Sequence, residues 1–254
     1  MLFELIREPD EIKNMISICS RVWKGEKVEK IKLFSKGDEV NICEYLPRDV
    51  SNYKNNDDKI FEYIGSNDTF PTALWTINAK YNTQIRIEKQ KWNNEAWNRD
   101  NTGRMCKTEI DKLYKKSGIE MDNQASGIDE FVEVCKKITG RYEYSFATKV
   151  FSFVSRNFCT DGLPIYDSLV VTLLNYYLEQ KNQNCKKSTW SEYRVFKESY
   201  DLFRYLYKLD EYTYKDIDVF LWTYGSAIKK YWNKQGVLSF NAVSYTPIEK
   251  RKHL

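Results

Sequence analysis

Histidine is almost missing from this chain of 254 residues: the single one, His253, sits in the basic stretch Lys250-Arg251-Lys252-His253. Histidine triads and imidazole metal sites are therefore poor explanations of whatever it does. Acid–base or nucleophilic work must fall to Lys, Asp, Glu, Tyr or Cys. The six cysteines (Cys19, Cys43, Cys106, Cys135, Cys159, Cys185) form no C-x-x-C pair. That spacing argues against a zinc or iron–sulfur centre and fits unpaired thiols in a reducing compartment, so neither metal nor cofactor is expected. No apolar run reaches the length of a membrane span, and Met1-Leu2-Phe3-Glu4-Leu5-Ile6-Arg7-Glu8 lacks the apolar core of a signal peptide. A cytoplasmic protein without a membrane partner is expected. Charge of one sign is also scarce, since 40 Lys plus Arg against 36 Asp plus Glu leave only +4. Any polyanionic partner would have to be met by local clusters of basic groups.

What the chain has is apolar and aromatic mass: 42% hydrophobic and 15% aromatic residues, ample for a core. Residues 1–68 read as a mixed α/β region, with a short helical start, an alternating stretch Val28 to Phe34 and a polar Asn/Asp-rich segment from Asp49 to Lys59. From Thr69 the signals turn helical and stay so to about residue 240, which predicts a mainly α protein. Pro71 opens a helix with Leu74, Ile77, Tyr81 and Ile85 at spacings of three and four, extending toward Trp92 and Trp97. A polar helix near Cys106 to Lys116 is closed by Gly118, and residues 118–127 read as a loop. Residues 241–254 form a basic tail. No internal repeat is present.

The clearest pattern begins at Ser126, where Ser126 and Asp129 read as an N-terminal cap, Ile128, Phe131, Cys135 and Ile138 share one face, and Gly140 is a stop. After a turn over Arg141 to Ser145, a second helix directs Ala147, Val150, Phe151, Val154 and Phe158 inward. Lys149 then borders the core without pointing into it, on a face with Ser145, Ser152, Phe153 and Arg156. Pro164 and Asp167 precede Leu169 to Leu174, a run apolar on every side that describes a buried helix with Asp167 at its start. Two more helices follow, one capped by Thr189 and Glu192 with Trp190, Tyr193, Phe196, Tyr200 and Phe203 inward, the other over Lys215 to Tyr231.

Helix, short turn, helix and a lysine just inside the second helix resembles the helix-hairpin-helix DNA glycosylases. Thr148-Lys149-Val150 with Asp167 looks most like the 8-oxoguanine DNA glycosylase branch. The likeness is good over residues 126–180 and loose over the remaining helices. It implies a helix-hairpin-helix glycosylase fold with its hairpin at 140–147, Lys149 as nucleophile and Asp167 as its carboxylate partner. It further implies a phosphate grip by Gly140, Arg141, Ser145, Ala147 and Thr148 with Lys136 and Lys137, and a base pocket walled by Phe153, Trp222 and Tyr224. The partner implied is double-stranded DNA containing a damaged or modified base, bound by a monomer. Ser145 and Ala147 stand where the family hairpin carries glycines, and Ser168-Leu169 stands where the family places a histidine shortly after the aspartate.

The chemistry so implied is base excision with AP lyase activity. An amine attacks the sugar C1′ only when uncharged, and contact with Phe153 and apolar helices would disfavour the ammonium form. A carboxylate at a helix N-terminus can offset positive charge growing on the sugar. The base, oxidised guanine by family default, must be flipped out of the duplex. Two alternatives stay open: a non-catalytic helix-hairpin-helix DNA-binding protein, and a monofunctional glycosylase in which Asp167 activates water. A role in base excision repair and a role in defence against foreign DNA both fit this chemistry.

Overall fold

The computed structural model describes residues 4–35, 37, 39–46, 53–65, 69–80, 121–139, 142–158, 161–181, 183 and 192–234. Helix α1 spans Pro9–Trp23, with Pro9 at its first position, where a missing N–H costs nothing. A two-residue antiparallel ladder follows, β1 (Ile31–Lys32) on β2 (Glu39–Val40), with Ile31 opposite Val40. The alternating stretch around residue 31 therefore yields far less strand than its length suggests. A 3-10 turn covers Ile42–Tyr45, and the polar segment beyond it becomes helix α2, Tyr53–Ile64. The other helices are α3 (Phe70–Lys80), α4 (Met121–Thr139), α5 (Tyr144–Phe158), α6 (Ser168–Gln180), α7 (Tyr193–Leu206) and α8 (Tyr214–Lys234). The described residues are mainly helical, as the sequence predicts.

Three boundaries differ from the sequence reading. Helix α4 begins at Met121, so 121–127 is helix rather than loop, and Ser126 and Asp129 lie inside α4 rather than capping it. Helix α5 begins at Tyr144, which places Ser145 within its first turn rather than in the connection. Helix α7 begins at Tyr193, directly after Glu192. The predicted helix segments over 81–116, Gly118, Gly140, Arg141, Thr189, Trp190, Cys106, Cys159, Cys185 and the tail 241–254 lie outside the described residues, as do the side chains of Lys137, Ile138 and Phe158.

The chain groups into two compact units that are not consecutive along it. The first takes residues 1–54, 167–187 and 198–245; the second takes 55–166, 188–197 and 246–254. Helix α7 gives its first turn to the second unit and the rest to the first.

In the first unit α8 is the central rod, packed against α1, α6 and the 3-10 turn. Tyr177, Phe203, Tyr207, Phe220 and Tyr224 form its aromatic core, with Tyr177 5.3 Å from Phe203 and Phe220 stacked on Tyr224 at 5.5 Å. Gly225 is the point of close approach: a Cβ there would lie 3.1 Å from Leu173 Cδ1 of α6. In the second unit α5 is the buried element, packed against α3 and α4. Phe131 of α4 meets Phe151 at 5.6 Å, and Phe61 of α2 meets Phe153 at 5.2 Å.

Candidate active site

Helix α5 starts from Glu143, whose carbonyl accepts the N–H groups of Phe146 at 3.1 Å and Ala147 at 2.9 Å. Four residues separate Ser145 from Lys149, the spacing at which two side chains meet on a helix surface. Lys149 Nζ accordingly donates to Ser145 Oγ at 2.8 Å. Lys149 is only 5% exposed, which departs from the expectation of a lysine bordering the core. The polar face of α5 is covered as well as its apolar face, since Ser152 and Phe153 are buried and Phe61 closes over Phe153. A lysine so deeply buried is rare unless it is paired or put to use.

Next to it Thr148 is fully buried; its hydroxyl donates to the Tyr144 carbonyl at 2.9 Å and accepts the Tyr166 N–H at 3.1 Å. That side chain is therefore spent inside the second unit, as is Ala147, also fully buried. One turn past Ser152, Arg156 lies over the rings of Phe153 at 4.5 Å and Phe61 at 4.8 Å and donates Nε–H to the Ser152 carbonyl at 2.9 Å. Gly162, at φ +77, allows this: a Cβ there would stand 2.9 Å from Arg156 Cγ.

Of the basic groups expected to grip phosphate, Lys136 donates Nζ–H to the Tyr142 hydroxyl and sits over that ring, 4.0 Å from its centroid. The Tyr142 hydroxyl bond holds the Lys136 ammonium above its ordinary 10.5, so it stays charged.

In the first unit Asp167 is the N-cap of α6, its carboxylate accepting Leu169 N–H at 2.9 Å, as the sequence predicts. Tyr224 is fully buried, with its hydroxyl donating to the Leu33 carbonyl at 2.5 Å and accepting Ile6 N–H at 3.2 Å. Trp222 is half-buried and meets Trp23 edge-on at 5.9 Å. Among the predicted site residues, Lys149, Phe153, Ser145, Ala147, Thr148 and Lys136 belong to the second unit, and Asp167, Trp222 and Tyr224 to the first.

Two residues that sequence reasoning placed elsewhere organise the second unit. Asp129 accepts the Tyr144 hydroxyl at 2.6 Å and the N–H of Tyr193, the first residue of α7, at 3.3 Å. It thus satisfies the start of a different helix from the one it was expected to cap. Ser145, given by resemblance to the phosphate grip and placed by helical spacing on the face of Lys149, accepts the Lys149 Nζ–H.

Burial pushes the Cys19 thiol well up, so it is not a ready thiolate. Among the described residues no three His, Cys, Asp or Glu side chains converge on a metal site, and no helix is long and apolar enough to cross a membrane. Comparison of the chain with family models, with curated proteins and with solved structures returned no match.

Proposed function

We propose that the chain is a cytoplasmic DNA glycosylase with AP lyase activity, acting as a monomer on duplex DNA through Lys149, with Asp167 as the carboxylate partner. The observation that carries this reading is the buried side chain of Lys149, close to the start of α5 and bonded to Ser145. Nucleophilic attack on the sugar needs an amine in its uncharged form.

In the reaction the Lys149 nitrogen bonds to the sugar C1′ as the C1′–base bond breaks, and the base leaves with that electron pair and the proton the amine sheds. Opening of the C1′–O4′ bond, with a proton delivered to O4′, gives a Schiff base. Loss of a C2′ proton then expels the 3′ phosphate by β-elimination. The Asp167 carboxylate serves to offset positive charge on the sugar and to carry protons.

The test is borohydride trapping on a panel of duplexes carrying 8-oxoguanine, uracil, hypoxanthine or an abasic site. A covalent adduct with the wild type, lost in Lys149→Gln, supports the reading. Failure to release base or to form an adduct on any of these duplexes overturns it. Duplex binding unchanged between wild type and Lys149→Gln, with no adduct in either, replaces it with a non-catalytic DNA-binding role. Base release without an adduct replaces it with a monofunctional glycosylase using Asp167 and water.

A further inference from the structure

We draw no further inference here: the strongest candidate, the surface hollow of the first unit lined by Arg7, Glu8, Gln180, Lys181 and Tyr207, carries nothing, because Glu4 pairs with Arg7 at 2.6 Å, Lys181 lies over the Tyr207 ring and the Tyr207 hydroxyl turns to the Tyr177 carbonyl, so nothing in the structure shows what the hollow would bind.

Discussion

Tyr166 donates its backbone N–H to the Thr148 hydroxyl at 3.1 Å, across 18 residues of chain. Thr148 directly precedes Lys149 and Tyr166 directly precedes Asp167, so one buried bond restrains the chain immediately before both candidate residues. Thr148→Val keeps the shape and removes the acceptor, leaving the Tyr166 N–H buried and unsatisfied at a cost of about 1–3 kcal/mol. Thr148→Ser keeps the hydroxyl and loses one methyl group, about 0.8 kcal/mol of burial. Denaturant unfolding should rank wild type above serine and serine above valine; a valine midpoint at or above that of the wild type would show that the bond contributes nothing.

Asp129 offers a second test, because one carboxylate serves two elements. It accepts the Tyr144 hydroxyl and the N–H that begins α7. Hydrogen bonds to a charged group contribute about 1.5–3 kcal/mol. Asp129→Ala should destabilise by at least that amount. Tyr144→Phe removes only one of the two bonds, so it should cost less, and the double variant should fall short of the sum of the singles. Strict additivity in a double-mutant cycle would mean that the Tyr144–Asp129 bond contributes nothing.

These two residues also mark the limit of what was legible in the chain. The Asp167 cap, the apolar run behind it and the inward set Ala147, Val150, Phe151 and Val154 follow from local pattern, and the structure has them as expected. The reach of Asp129 to α7 does not, because a side chain that caps a helix 64 residues away leaves no periodic trace. The burial of Lys149 is hidden for the same reason: helical spacing identifies the face it shares with Phe153, whereas the ring that packs on Phe153, Phe61, comes from a different helix. An amphipathic pattern states that a stripe will be covered and is silent on what covers it. The grouping of the N-terminal residues with α6 and α8 was equally beyond a local reading.

Alkaline pH probes the tyrosine core of the first unit. Burial pushes the Tyr207 hydroxyl from its ordinary 10.0 up to about 12, and it raises Tyr177 and Tyr224 as well. The folded state therefore keeps protons that the unfolded chain releases. By linkage this contribution is complete below pH 10.0 and is lost as pH rises from there through about 12. Unfolding free energy measured across that window should fall steadily, with a shallower slope in Tyr207→Phe. The same variant should lose about 1 kcal/mol at neutral pH, because Tyr207 donates to the Tyr177 carbonyl at 2.9 Å. An unchanged slope would assign the alkaline loss to other groups.

Gly225 sets how closely α8 approaches α6, and two effects of opposite sign compete there. Replacing a glycine in a helix interior gains about 1 kcal/mol from propensity alone. Against this, an added Cβ meets Leu173 Cδ1 at 3.1 Å and Leu169 Cβ at 3.7 Å. The nearer atom is the tip of a side chain that can turn aside, so Gly225→Ala should be close to neutral. Gly225→Val adds branches that the leucine tip cannot avoid, and overpacking of this kind costs about 1–3 kcal/mol. Leu173→Ala alone opens a cavity in a fully buried site, at about 2–5 kcal/mol. If the contact is what makes position 225 a glycine, valine at 225 fills part of that cavity, and the double variant is more stable than the two separate losses predict. Chemical denaturation of the four proteins reads this coupling directly, and a coupling energy of zero would remove the close approach as the reason for the glycine.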